Sequence, residues 1–456
     1  MKKVLLSLLF VLTFAACQSV NFEGESVLFD QVPPLDYDPV YLKSTKTIDS
    51  TPIGPRLQIS RIDPFRSGKA KFFIHLIDTN GFFLRNASGL DWKDIWCEAY
   101  EITNGVEKKI DNFRLTESDP MKRKPISFAI VMDHSGSMGE ERAINVQKAV
   151  ADFIMKKKDD DGITLIKYDE QVVVESPLEQ DKSRLVTVLK QNGLEGYGGW
   201  TATGDAIVRG VDELKNAPTD NEKVVLVFTD GLDNKSKTSI DSVIAYAVSN
   251  NTIVCGFDYG FNVDPDYMSK IVKNTQGIYN HIYGTEEFEF VFQDIYNRFE
   301  HYYLFEYEPS GYGIHTIKLK ICLPETTLVA EAEFDNTPPV GATTLLNVYF
   351  DTDKSTIKKS SLYAVDHVAE LMKAFPRMKI ELRGHTDSSN RTGDPDYNKK
   401  LSQRRADAVK KALEKQGIDA ARITAVGFGE DVPVASNETK EGMAKNRRTE
   451  FVVLAK

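Results

Sequence analysis

The chain has 456 residues, 41% of them hydrophobic and 27% charged, enough for two to four folded domains with ordinary cores. Its formal net charge of −10 argues against nucleic acid as the main partner, because phosphate recognition needs a basic field. The charge is uneven: residues 345–456 carry 21 Lys/Arg against 16 Asp/Glu, leaving 36 against 51 elsewhere, so a basic tail suited to an anionic polymer follows an acidic body.

In chain order, residues 1–17 do not belong to the fold. Lys2 and Lys3 precede the apolar run Val4 to Ala16, which is too short and wrongly flanked for a spanning helix. The run ends in Phe14-Ala15-Ala16-Cys17, which resembles a bacterial lipobox, although Phe14 departs from the usual aliphatic residue. The resemblance implies a lipoprotein signal peptide and an acylated Cys17, with several acyl chains for stable anchoring; an ordinary secretory signal cleaved nearby is the alternative. Residues 18–60, punctuated by Pro33, Pro34, Pro39, Pro52 and Pro55, read as an extended tether.

Residues 61–122 turn to short strands: Lys71 to Ile77, Trp96 to Ile102 and Val106 to Leu115, with an Asn80-Gly81 turn after the first. They are expected to form the first part of a β-sandwich. Over 125–298 the rhythm changes. Buried-type strands at Ile126 to Met132, Ile163 to Tyr168, Val224 to Phe228 and Ile253 to Phe257 alternate with helical patterns at 141–155, 183–189, 203–214, 240–248 and 286–298. Such alternation predicts a doubly wound, mostly parallel α/β sheet. Strands return at 300–335 and complete the sandwich, so that the α/β domain is inserted in it. Residues 336–342, with Pro338-Pro339-Val340-Gly341, are a linker. Residues 343–456 follow a β-α-β-α-β order, with Leu346 to Phe350 as first strand and Asn398 to Gln416 as the long helix. Beyond Cys17 three cysteines remain, so at most one bridge closes within the chain; Cys97 and Cys322, expected to share the sandwich, are the candidate pair, while Cys255 reads as a buried core residue.

Asp133-His134-Ser135-Gly136-Ser137 follows the first α/β strand. Alternate oxygen side chains in a tight loop can converge on one point, and hydroxyl and carboxylate oxygens suit a hard cation. The segment resembles the Asp-x-Ser-x-Ser start of the metal-ion-dependent adhesion site of von Willebrand factor A domains. Gly198-Gly199-Trp200-Thr201-Ala202-Thr203 resembles that family's second loop, with Trp200 interrupting the usual Gly-Gly-Thr order, and Phe228-Thr229-Asp230-Gly231 resembles its third. The resemblance implies Asp133, Ser135, Ser137, Thr201 and Asp230 as ligands, with spacing favouring Thr201 over Thr203. It further implies a divalent cation, Mg2+ first with Mn2+ or Ca2+ as alternatives, holding one position open for a partner's acidic residue. No HExxH motif is present, so enzymatic metal chemistry is not expected.

The tail carries Val348-Tyr349-Phe350-Asp351, Arg383-Gly384-His385-Thr386-Asp387, Asn398 to Ala406, Gly427-Phe428-Gly429-Glu430 and Asn446 to Phe451. These ordered blocks resemble the OmpA-like peptidoglycan-binding domain. The resemblance implies the diaminopimelate of a stem peptide as ligand, with Asp387 for its ammonium and Arg405 for its carboxylate. Thr386 is a neighbour of the ligand. Asn398 and Leu401 shape the loop and helix entry, Asn398 as a helix cap and Leu401 as core. Arg447 and Arg448 are expected in an ion-pair network. Together these readings predict a non-enzymatic lipoprotein of the outer membrane facing the periplasm, bound to peptidoglycan and recruiting an envelope protein. A surface-exposed adhesin and, behind it, a cell-wall hydrolase are the rival readings.

Overall fold

The structure is a computed structural model that describes residues 42, 44–47, 56–65, 68–87, 95–191, 198–259, 265–284, 287–323, 326–346, 348, 350, 354–390 and 392–456. Cys17, the signal peptide and most of the expected tether lie outside the described residues.

Strands β1 (Ser44–Thr47), β2 (Arg56–Asp63), β3 (Ala70–Ile77), β4 (Phe82–Arg85), β5 (Glu98–Thr103), β6 (Val106–Lys109) and β7 (Phe113–Glu117) come first. The α/β region follows as β8 (Ile126–Asp133), α1 (Gly139–Lys156), β9 (Gly162–Tyr168), β10 (Val172–Glu179), α2 (Lys182–Gln191), α3 (Thr203–Leu214), β11 (Glu222–Thr229), α4 (Ile240–Ser249), β12 (Thr252–Tyr259), α5 (Pro265–Thr275), β13 (Tyr279–Ile282) and α6 (Phe288–Glu300). Then come β14 (Tyr303–Tyr307), β15 (Ile314–Cys322) and β16 (Thr327–Asp335). The tail is β17 (Thr343–Leu346), α7 (Leu362–Ala374), β18 (Lys379–His385), α8 (Tyr397–Lys415), β19 (Ile423–Gly429), α9 (Lys440–Asn446) and β20 (Thr449–Ala455).

The α/β sheet has the order β10-β9-β8-β11-β12-β13, parallel except for the β10 edge. Its central strand β8 is buried at every position, as a strand with helices on both faces must be. Alternation does the sorting: Phe128, Ile130 and Met132 enter one core with Phe153 and Ile295, while Ala129 and Val131 enter the other with Ile207, Val211 and Val243. The order reverses at β8, whose neighbours β9 and β11 lie on opposite sides, so a crevice opens at its carboxyl end.

Two further sheets have the orders β1-β4-β3-β14-β7, with β2 on β3, and β16-β15-β5-β6. Each mixes strands from before and after the α/β region, and their inner faces share one core of Phe72, Ile74, Phe305, Tyr307, Ile317 and Leu319. Buried and half-buried positions alternate along β15, the period-two signature of one covered face. Cys97 and Cys322 form a disulfide (S–S 2.01 Å) between residues 225 apart in sequence. Tyr303 is buried and donates its hydroxyl to the Leu84 carbonyl at 2.7 Å while accepting from the Ala87 N–H at 2.9 Å. Arg61 of β2 reaches the α/β region: its guanidinium stacks on Phe73 and Phe299 at 4.1 and 3.9 Å and pairs with Glu222 at 3.4 Å.

The tail sheet has the order β17-β20-β18-β19, and Val365, Val368, Met372, Ala406, Val409 and Leu413 of α7 and α8 fill its core.

Several elements differ from the sequence expectation. The segment 106–115 is two strands in different sheets, because the turn after Lys109 carries the chain from one sheet to the other. The expected tether contains fold: β2 starts at Arg56, and Leu42 is buried, its N–H donating to Asp294 and its carbonyl accepting from Asn297, both at 2.6 Å. The first tail strand is Thr343–Leu346 rather than 346–350. The expected linker 336–342 is packed: Asn336, Thr337 and Ala342 are buried, and Ala342 joins the α4 face of the α/β core. Strands β10 and β13 and helix α5 differ from the sequence expectation as well, which has no element at those positions.

Candidate functional site

The expected site residues fall in two clusters, one at the carboxyl end of β8 and one in the tail. At the carboxyl end of β8, Asp133 accepts the Ser135 N–H on Oδ1 and the Thr229 hydroxyl on Oδ2, each at 2.8 Å. Ser135 and Ser137 hydroxyls stand 3.1 Å apart, and the Ser137 hydroxyl donates to Asp230 Oδ1 at 2.8 Å. A parallel bridge between Ser135 and Gly198 ties this loop to the next. The Asn234 side chain accepts the Thr201 N–H at 2.9 Å, and the Thr201 carbonyl accepts from the N–H groups of Asn234 and Lys235. A Cβ added at Gly231 would lie 3.5 Å from Thr201 Oγ1 and 3.6 Å from Ser137 Oγ, so these hydroxyls border the same space. The Thr203 hydroxyl stands 3.2 Å from that of Tyr168.

Both carboxylates are buried. Burial, then the charge of Asp230, pushes Asp133 up to about 7, and burial raises Asp230 as well. Two buried carboxylates whose pKa values are raised, with the Ser135, Ser137 and Thr201 hydroxyls nearby, form a set of hard oxygen donors. The residues therefore fit a small divalent cation. Among the described residues no three His, Cys, Asp or Glu side chains gather at one point, so this site draws on hydroxyls as much as on acids. Sequence reasoning passed over Thr229, which orients Asp133, and Arg142, whose Nη1 meets Asp230 Oδ2 at 2.9 Å. The signal for Arg142 was a cation nine residues after Asp133, inside the helix that the loop opens.

In the tail, two glycines let α8 lie against the sheet. A Cβ at Gly384 would meet the Ser402 carbonyl oxygen at 2.2 Å, and one at Gly427 the Gln403 nitrogen at 2.3 Å. The close approach sets the first turn of α8 beside the loop after β18. There the Asn398 amide donates to the Asp387 carbonyl at 3.2 Å and to Glu430 at 2.7 Å. Asn398 is thus a bridge inside the helix and not its cap; Asp396 holds the cap position. Leu401 is buried.

Asp387 is buried, with Oδ1 accepting from Ser389 N–H at 2.9 Å and Oδ2 from Arg447 Nη1 at 2.5 Å. Burial acts to raise its pKa, but hydrogen bonds from Arg447 and Ser389 prevail and hold the carboxyl below the usual aspartate range. Arg405, also buried, donates Nε to the Lys354 carbonyl at 3.1 Å and lies 5.2 Å over the Phe350 ring. Asn398 and Arg405 are seven residues apart on α8, about two helical turns, and so share one face of the helix. Thr386 sits between backbone partners, its N–H donating to the Gly429 carbonyl. Its buried hydroxyl has no hydrogen-bond partner among the described residues. Arg448 pairs with Glu450 at 2.6 Å.

The family model described as von Willebrand factor type A domain matches residues 128–298, and that described as OmpA family matches residues 349–447. Outer membrane porin F of Pseudomonas fluorescens is 51% identical over 110 residues, covering 24% of this chain and 33% of that protein. The probable lipoprotein YiaD of Escherichia coli (strain K12) is 44% identical over 107 residues, 24% of this chain and 48% of its own length. The peptidoglycan-associated lipoprotein of Pasteurella multocida (strain Pm70) is 38% identical over 101 residues, 22% and 65%. The chain thus spans between about a third and two thirds of the length of these relatives. With Asp133, Ser135, Ser137, Thr201 and Asp230 inside the first match and Asp387, Asn398 and Arg405 inside the second, the chain is a multi-domain α/β protein in which a von Willebrand factor type A domain is followed by a C-terminal domain of the OmpA family.

Proposed function

We propose that this chain is a non-catalytic envelope protein that grips peptidoglycan through its C-terminal domain and docks a protein partner at a divalent-cation site. One arrangement carries the reading: an ionised Asp387 in the loop after β18, tied through its backbone carbonyl to Asn398 in the first turn of α8, and a buried Arg405 about two turns further along the same helix. A diaminopimelate side chain ends in one ammonium and one carboxylate. Asp387 takes the ammonium, and the planar fork of Arg405 takes the carboxylate. The Thr386 hydroxyl offers a further hydrogen bond, and Leu401 backs the helix entry from the core. The relatives named for the outer membrane and for association with peptidoglycan support the same reading.

In the type A domain, Asp133, Ser135, Ser137, Thr201 and Asp230 hold the cation, Mg2+ first, with Mn2+ or Ca2+ as alternatives. Bound there, the ion supplies an electrophilic centre with one position free for an Asp or Glu of the partner. The two sheets sharing one core are read as a sandwich in two parts, residues 61–122 and 300–335, with the type A domain inserted. Acylation of Cys17 would hold the protein in the outer membrane facing the periplasm; cleavage of exposed protein on intact cells by an added protease would favour a surface adhesin instead.

The test is co-sedimentation with purified sacculi. Wild type pellets with the wall and releases no soluble fragments, whereas Asp387→Ala and Arg405→Ala stay in the supernatant with unchanged circular dichroism. Pelleting of both variants would falsify the pocket, and release of fragments would promote a wall hydrolase.

A further inference from the structure

Asp230 has both oxygens engaged. Oδ1 accepts the Ser137 hydroxyl at 2.8 Å, and Oδ2 meets the Arg142 guanidinium at 2.9 Å. The pair is deep: the Arg142 side chain is 7% exposed and that of Asp230 1%. Arg142 stands on α1, the helix that begins just after the Ser137 loop, and its guanidinium carbon lies 5.7 Å from the centre of the Tyr259 ring. A guanidinium keeps its charge at any pH the protein meets. It therefore places a permanent positive charge beside the space where the cation reading puts a second one, on a carboxylate both would use. In so buried a position, repulsion between them is weakly screened.

We infer that Arg142 is a built-in competitor of the divalent cation, neutralising Asp230 while the site is free of metal and holding the site's affinity down. The inference rests on the cation reading of the site. Removing one partner of a buried pair leaves the other charge uncompensated. Arg142→Gln thus leaves an unpaired Asp230 that a cation can satisfy, so the cost to stability and the gain in affinity arise together.

Calorimetric titration with MnCl2 compares wild type, Arg142→Gln and Arg142→Lys, and each is also melted with and without the metal. The expected result is an affinity on the order of tenfold higher in Arg142→Gln. Its melting temperature lies below wild type without metal, and MnCl2 narrows the gap. Arg142→Lys, which keeps the charge, binds close to wild type. Unchanged or weaker binding by Arg142→Gln beside a binding wild type would overturn the inference and leave Arg142 a structural clamp. Absence of binding by both would overturn the cation reading with it. Should Arg142→Gln fail to fold, wild type decides: MgCl2 must shift the Arg142 guanidinium resonance in nitrogen-15 spectra, and an unmoved resonance refutes competition.

Discussion

Arg447 sets the working range of Asp387. Its guanidinium and the Ser389 N–H hold that carboxyl ionised below the ordinary aspartate range, against the opposing effect of burial. A carboxyl lowered in this way keeps its charge, and whatever depends on it, as pH falls through the usual aspartate value, and loses both only below its own. Arg447→Ala removes one of the two supports, so the Asp387 titration moves up. The expected outcome is that wall binding, retained by wild type in mild acid, falls off at a higher pH in Arg447→Ala. A carbon-13 carboxyl titration of Asp387 checks the cause, and coincident curves for the two proteins would refute it. Such roles are only half legible in sequence. Asp133, Ser135, Ser137, Thr201 and Asp230 are read as ligands from their spacing, and of these Ser137 and Thr201 border one space at Gly231. Arg142 and Thr229 are passed over: a cation early in the helix after the loop and a hydroxyl beside Asp230 are weak signals until the contacts with Asp230 and Asp133 are seen.

Among the elements, short, largely apolar runs exposed the buried strands β8, β9, β11 and β12, as expected of strands covered by helices on both faces. They did not expose β10, which lies at the sheet's edge with mostly half-buried residues, nor the four-residue β13. The pairing of β3 with β14, and of β5 with β15, joins segments on either side of the type A domain, and no local pattern encodes partners so distant. The Cys97–Cys322 bridge staples β15 to the start of β5. Closing a loop of that length removes about 5 kcal/mol of denatured-state entropy in the chain-entropy account, and native disulfides are commonly worth roughly 2–5 kcal/mol. Cys97→Ser with Cys322→Ser should lower unfolding stability within that range, read as a lower denaturant midpoint under non-reducing conditions. A midpoint equal to wild type would show that the two sheets hold without the staple.

Across the whole molecule, the cation cluster and the tail cluster rest on different cores, the first on the α/β sheet and the second on the tail sheet. Their functions should therefore separate. Asp133→Ala is expected to abolish divalent-cation binding in calorimetry while pelleting with sacculi as wild type does. Unchanged cation affinity in that variant would sink the site assignment, and lost pelleting would mean that the two sites are coupled. The charge asymmetry visible in the sequence, a basic tail on an acidic body, already separated the two halves.

The cross-link also fixes how a mechanical load would travel. Cys97 and Cys322 lie before and after the entire type A domain, so the shortest covalent path from the N-terminal segment to the tail runs through the sulfur atoms. A pull between the two ends bypasses the intervening residues. The type A domain then lies off the covalent path that bears tension, and only its non-covalent contacts, such as Arg61 with Glu222, would transmit load to it.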